Sequence, residues 1–384
     1  MKRPKVSLMV VSTTLSTGGA QRFTSNLLHC LDRESFEPSL ALLRPEIEYP
    51  LPNDVRVHHL GYRGARSFVS TAGRLRRLVE REMPVVVLSN ITATNLISGL
   101  ALRFARHRPR WVARAGSNAR MHDGHLRRLL AAWLYRRVDL LVANSQGLAT
   151  ELASCSTVRQ NRIAVIGNLT DVQRIERLAA EPGEFSYHGD APLLVAVGRL
   201  DRQKRYDVML EAFARVRQAT DAHLWICGEG PERDRMRAQI TRLNLQENVE
   251  LLGFCNNPYA LMHRADLFVM CSDHEGLPNA LIEAQCLGLP AVSTNCPHGP
   301  SEIIVEGETG LLVPVRDPRA MAQGIVSLLE ARDVLKTSRD RIRVSARGRF
   351  SDVAIRRKWE EVLTDRTLSG LGGSPHTVTT DRAT

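Results

Sequence analysis

The sequence predicts an α/β protein of two doubly wound, Rossmann-like domains in tandem, facing each other across a central cleft. Three observations predict it. Short β-rich apolar runs alternate with helical patterns from end to end, and strands apolar on both faces belong to parallel sheets covered by helices on both sides. The alternation breaks once, at 181–192, where Pro182, Gly183, Gly189 and Pro192 cluster. Finally, 384 residues, 43% hydrophobic and 24% charged, suit two domains of ordinary size and exclude a disordered or collagen-like chain.

Taken in order, strands are expected at 6–11, 85–88, 111–113, 140–143 and 163–166 in the first half. The second half repeats the pattern at 193–197, 223–227, 249–252, 267–270, 291–293 and 311–313. Helical spacing falls at 21–31, 73–81, 126–137, 206–218 and 231–243. The domains are therefore placed at 1–180 and 181–348. A last helix follows at 349–366, then a Gly/Ser/Thr-rich stretch, 367–384, that reads as disordered. Lys2, Arg3 and Lys5 before an apolar run imitate a secretory leader. That run, 8–11, is far shorter than the ~7–15 residues of a leader core, so it reads as a buried first strand. No run approaches the ~20 apolar residues of a membrane span. The seven cysteines are scattered without a CxxC pair, which points to a reducing compartment with no disulfide framework and no zinc site.

The net charge of +11 is unevenly spread. Residues 1–180 carry 27 Lys/Arg against 13 Asp/Glu, and residues 181–384 carry 25 against 28. The excess is dense at Arg103, Arg106, Arg108, Arg110, Arg114 and Arg120, then at Arg127, Arg128, Arg136 and Arg137. Such a run either decorates a solvated face or attracts a polyanion. Aromatics make up only 5%, and few lie among these arginines, so base stacking on single-stranded nucleic acid is not expected. An anionic membrane surface or an anionic acceptor is the expected partner. That gives a cytoplasmic protein, peripheral on the inner face of the membrane.

Four segments carry chemistry. LSTGGAQR (15–22) joins the first strand to the first helix, and its Gly18–Gly19 pair lets a ligand approach the backbone and the helix amides. It is not GxGxxG, so a tight turn explains it equally well. VGRLDRQKRYD (197–207) sets Arg199 and Lys204 five residues apart at a strand end, enough cation to neutralise a diphosphate. CGEGP (227–231) is a sharp turn with Gly228 and Gly230 flanking an acid. SDHEGLPNALIEAQCLGLP (272–290) holds Glu275 and Glu283 eight residues apart around a helix start. Amides there suit a diphosphate, and two carboxylates suit the hydroxyls of a nucleotide-sugar. A solvated helix start explains Glu275 but not an acid inside the apolar stretch 280–289.

In this order, with NCPHGPSEII at 295–304, the segments resemble the retaining glycosyltransferases of family 4, which have the GT-B fold. The resemblance covers about residues 5–366 and rests most on the paired VGRL-x4-K and E-x7-E elements. It implies that Gly19 approaches the donor diphosphate from an acceptor-side N-terminal domain, and that Arg199 and Lys204 neutralise it. Glu283 would bind the ribose. Glu275 with the amides of Gly276, Leu277, Asn279 and Ala280 would hold the transferred sugar, and the base would lie near Phe254. CPHGPSE is similar to the branch acting on polyprenyl-diphosphate-linked oligosaccharides and surface polysaccharides, which implies a UDP-hexose or UDP-N-acetylhexosamine donor. The resemblance further implies front-face attack with no protein nucleophile, and 350–363 as a helix crossing back to the first domain, with Val353, Ile355, Trp359 and Val362 inward. Where the family often has an acceptor-side histidine this chain has Gly116, Ser117 and Asn118, with His122 as a candidate substitute. No DxD loop is present, so neither metal nor cofactor is expected. Two alternatives stay open: a non-catalytic nucleotide-binding protein of the membrane surface, and an NDP-sugar epimerase. A pyridoxal-dependent phosphorylase would need a Schiff-base lysine, and after Lys5 only Lys204, Lys336 and Lys358 remain.

Overall fold

In the computed structural model, residues 4–16, 18–116, 133–155, 158–183, 185, 187 and 189–364 are described. They form two parallel sheets. The first contains β1 (Val6–Ser12), β2 (Phe36–Leu42), β3 (Arg56–His59), β4 (Val86–Asn90), β5 (Arg110–Ala115), β6 (Leu140–Ala143) and β7 (Ile163–Val165), in the order β3-β2-β1-β4-β5-β6-β7. The second contains β8 (Leu193–Val197), β9 (His223–Cys227), β10 (Val249–Gly253), β11 (Leu267–Met270), β12 (Ala291–Thr294) and β13 (Gly310–Val313), in the order β10-β9-β8-β11-β12-β13. Each sheet reverses direction next to its first strand, so its ligand-facing crevice opens at the carboxyl ends of the central strands.

Strand β1 shows why these runs fold as they do. Leu8 and Val10 point into one core with Phe23, Leu27 and Trp359, while Met9 and Val11 point into the other with Leu75, Ile97 and Trp111. Both faces are covered, so no polar alternation is visible along the strand. Strands β2 and β3 were not expected. β2 reads FEPSLAL with a proline and two polar residues, and β3 (RVHH) is a short, partly exposed edge strand.

The helix Val172–Ala180, capped by Asp171 accepting from the Arg174 amide at 2.9 Å, buries Val172, Ile175 and Ala179 in the core of the second sheet. The chain returns through the helices Arg332–Phe350 and Asp352–Thr364. In the last helix Ile355, Trp359, Val362 and Leu363 enter the core of the first sheet, which is the expected crossing back. Val353 departs from the expectation. It is 69% exposed, because it lies on the opposite side of the helix from Ile355 and Trp359. At the crossing the Asp352 amide donates to the Thr170 carbonyl at 2.9 Å, so the two connecting segments lie side by side.

One expectation about cysteine is corrected. Cys227 and Cys255, 28 residues apart, form a disulfide with a Cα–Cα separation of 5.9 Å. Cys227 ends β9 and Cys255 lies just beyond the end of the adjacent parallel strand β10, a neighbourhood that sequence spacing does not display. Most of the expected helix 126–137, together with Arg120, Arg127, Arg128 and the stretch 367–384, lies outside the described residues.

Candidate active site

The two sheets bring two helix starts face to face. The helix Gly19–Cys30 begins directly beyond β1, after Gly18 at φ 124°, a backbone setting that favours glycine. The helix Asn279–Cys286 begins after β11, with Pro278 as its cap. A Cβ on Gly19 would lie 3.0 Å from Asn279 Nδ2, so the two ends approach closely, side-chain tip against backbone. Gly276 is more constrained still. A Cβ there would meet the Gly116 carbonyl oxygen at 2.3 Å, so the loop before the second helix rests on the backbone of the other domain. Pro278 has no amide proton, and Asn279 and Ala280 carry the first N–H groups of that helix, which have no partner within it.

Around this junction the charged residues pair. Lys204 Nζ lies 2.5 Å from Glu275 Oε1, and the Ser272 hydroxyl donates to the same oxygen at 2.7 Å. Lys204 is delivered by a 3-10 turn, Arg202–Lys204, in which Asp201 accepts from the Lys204 amide at 3.2 Å. Glu283 is buried one turn into the helix and forms an ion pair with Arg22 of the opposing helix. That carboxylate raises the Arg22 pKa and outweighs the burial that would lower it. The two carboxylates expected to hold a sugar and a ribose are each already matched to a cation.

Other expected residues sit further out. Arg199 is 77% exposed and pairs with Asp201 at 2.8 Å rather than standing beside Lys204. Gly228 and Gly230 press the 227–231 turn onto the preceding motif: Cβ atoms there would lie 1.9 Å from the Gly198 oxygen and 2.4 Å from the Leu200 oxygen. Phe254 is 63% exposed beside that turn. His122 lies outside the described residues.

The structure adds residues that motif reading did not select. Glu302 accepts from the Gln146 and Gly147 amides at 2.8 and 3.0 Å, capping a first-domain helix, Gln146–Cys155, from the second domain. His298 Nε2 lies 2.7 Å from Glu151 of that helix. The segment CPHGPSE therefore clamps the two halves together. Arg114, the last inward residue of β5, is buried with Asn90 and Asn168. Its guanidinium donates to Asn90 Oδ1 at 3.0 Å and to Asn168 Oδ1 at 2.6 Å, and Asn168 Nδ2 donates to the Leu277 carbonyl at 2.9 Å and to Asn279 Oδ1 at 2.7 Å. The expectation that Arg114 belongs to a basic run facing solvent or a polyanion is corrected here, because the side chain is buried; the sequence signal for that is an arginine inside the apolar run WVARA.

Residues 17–174 match the family model described as Glycosyltransferase Family 4, and residues 179–349 match the one described as Glycosyl transferases group 1. Over 375 residues the chain is 29% identical to the N-acetylgalactosamine-N,N'-diacetylbacillosaminyl-diphospho-undecaprenol 4-alpha-N-acetylgalactosaminyltransferase of Campylobacter jejuni, across 92% of this chain and 97% of that protein. It is 26% identical to the lipopolysaccharide core biosynthesis glycosyltransferase LpsE of Rhizobium meliloti, across 93% of this chain and 97% of that protein. A glycosyltransferase structure from Rickettsia africae superposes with a TM-score of 0.80 at 17% identity, over 95% of this chain and 100% of that one. Anabaena Alr3699/HepE, solved with UDP and glucose, superposes with a TM-score of 0.77 at 21% identity, over 93% and 99%. With two family models running in succession over both sheets, the chain belongs to the glycosyltransferases, family 4 in its first half and group 1 in its second, on the two-domain GT-B fold.

Proposed function

We propose that this enzyme transfers a sugar, with retention of configuration, from a UDP-hexose or UDP-N-acetylhexosamine to a saccharide carried on a polyprenyl diphosphate, in the building of a surface glycan. The observation that carries the reading is the pair of opposed helix starts at Gly19 and Asn279, flanked by the Lys204–Glu275 pair. The names of the Campylobacter and Rhizobium relatives support the acceptor class, and the UDP bound by the Anabaena protein supports the donor. Residues 1–180 would present the acceptor and residues 181–348 the donor.

The chemistry asks for a departing diphosphate to be held while positive charge develops on the sugar. Fixed amides at two helix ends and Lys204 provide positive potential that needs no rearrangement at the moment of reaction. Glu275, now bound to Lys204, would accept from sugar hydroxyls once the phosphate engages the lysine. Glu283 would exchange its Arg22 contact for ribose hydroxyls. Arg199, free to swing from Asp201, would add a fork to the outer phosphate. The expected result is release of UDP from one of a panel of UDP-sugars, undiminished by EDTA, since these groups carry the charge a divalent ion would otherwise balance. Turnover that stops in EDTA and returns with Mg²⁺ or Mn²⁺ would refute metal independence. Absence of UDP release with every donor, acceptor supplied, would refute the donor assignment.

Peripheral binding to an anionic membrane belongs to the same reading. No described helix is long and apolar enough to cross a membrane. Phe104 is 63% and Trp133 40% exposed, and the Arg103 guanidinium sits 5.3 Å above the Trp133 ring. Slight loss of hydration together with the neighbouring Arg103 and Arg108 lowers the Arg137 pKa, so these three like charges lie near one another. Aromatic rings beside cations suit a headgroup layer. Co-sedimentation with phosphatidylserine or phosphatidylglycerol vesicles is expected at low salt. It should fade as the Debye length contracts from ~10 Å at 0.1 M to ~3 Å at 1 M, and weaken when Arg103, Arg106 and Arg108 become glutamine. Indifference to anionic vesicles at low salt would sink this part of the reading.

A further inference from the structure

Arg114 presents an unusual combination. It is 2% exposed, and among the described residues no carboxylate pairs with it. Its fork is spent on two neutral amides, its Nε has no acceptor, and its guanidinium lies 4.0 Å over the Phe23 ring. Burial with nothing to offset it pulls the pKa down to about 9. Burying an unpaired charge is costly, and structures that do so for packing alone gain nothing from it.

Its position suggests what the charge is for. Arg114 lies one residue from the end of the central parallel strand β5, and Asn90, at the end of the neighbouring β4, joins it to the first helix by donating to the Ala20 carbonyl at 2.7 Å. Asn168 carries its other arm to Leu277 and Asn279, where the opposing helix starts. A run of hydrogen-bonded side chains, Arg114–Asn168–Asn279, thus reaches the point where Asn279 meets Gly19. We propose that Arg114 is a positioning residue for the donor: it fixes both helix starts through Asn90 and Asn168, and its missing counter-charge is supplied by the diphosphate of the bound nucleotide. The inference rests on an anionic donor at this junction. A cation sealed beneath the site is destabilising in the empty protein and favourable in the occupied one, so the free enzyme stores the cost that binding recovers.

Two variants test this in the full chain. Arg114→Gln removes the charge. Asn168→Asp leaves the volume nearly unchanged but gives Arg114 an internal counter-ion and removes the donor that holds Leu277. Melting temperature without ligand, the Kd for UDP, GDP and ADP, and the split between donor KM and kcat are measured for each. The expected result is a melting temperature for Arg114→Gln equal to or above that of the wild type and, in both variants, nucleotide binding weakened about tenfold or more with the kinetic loss mainly in donor KM. A variant that melts lower yet binds nucleotide as tightly as the wild type would show a purely structural arginine and overturn the proposal. If Arg114→Gln does not fold, Asn168→Asp decides alone: unchanged nucleotide affinity overturns it. If the wild type binds none of the three nucleotides, the donor reading fails and this inference falls with it. If the wild type binds and both variants bind equally well, only this inference falls.

Discussion

Lys204→Ala and Glu283→Gln are each expected to lower donor kcat/KM by about one to two decades. The figure follows from losing one charge-assisted contact, ~1.5–3 kcal/mol, at ~1.4 kcal/mol per decade. The two losses should differ in kind. On the proposed function Lys204 would engage the departing phosphate, so its removal should depress kcat about as much as kcat/KM, the mark of an interaction that matures in the transition state. Glu283 would hold a ribose that does not change during the reaction, so its loss should appear mainly in KM. The structure supplies a control. Because Glu283 pairs with Arg22, Glu283→Gln leaves a cation partly stranded, and some effect could come from the helix rather than the ribose. Changing Arg22 to Gln in the same protein removes the stranded charge. If donor KM then returns to normal, Glu283 serves the domain contact and not the substrate. Steady-state kinetics over a range of donor concentrations, with circular dichroism to confirm folding, decide the matter.

Trp359→Ala is the substitution expected to cost most in stability. Trp359 is fully buried, 5.1 Å from Phe23 between ring centroids, and is the largest side chain that the last helix drives into the first sheet's core. Truncating a tryptophan in such a place costs about 3–5 kcal/mol through lost burial and the cavity left behind. Its effect should fall on the first domain's unfolding transition, because the side chain leaves the second core untouched. Calorimetry should therefore show one transition moving and the other not. A loss below about 1 kcal/mol would mean that the helix docks loosely, contrary to the packing described.

The central strands of both sheets were legible because each is apolar on both faces and each ends near a glycine or charged motif. Strand β11 was placed to the residue, and the helix after it was expected to start near Pro278, which is its cap. Strands β2 and β3 were missed for different reasons: in the inner strand β2, Glu37, Pro38 and Ser39 interrupt the apolar run, and the edge strand β3 is short, partly exposed and carries two histidines. The crossing helix was legible from Ile355, Trp359 and Val362, yet Val353 was read inward because a hydrophobic residue in an amphipathic helix advertises burial even when the turn faces water. Spacing within two separate motifs singled out Lys204 and the pair Glu275 and Glu283, and the structure brings Lys204 to Glu275. Spacing did not bring out pairings between halves of the chain. Arg22 with Glu283, Glu302 with the Gln146 amide, and Asn168 with Leu277 join residues more than a hundred positions apart, and local pattern holds no record of them.

The chain passes between the two sheets twice, and the two passages run alongside each other where Asp352 bonds Thr170. Two bodies joined by one thread can tumble and twist freely. Joined by two threads lashed together, they keep little freedom beyond swinging about the lashing. The lips of the cleft furthest from that axle would then travel furthest, while residues near it barely shift. On the proposed function, such a protein would spend less orientational entropy when donor and acceptor meet, because covalent connectivity has already aligned the halves that would carry them.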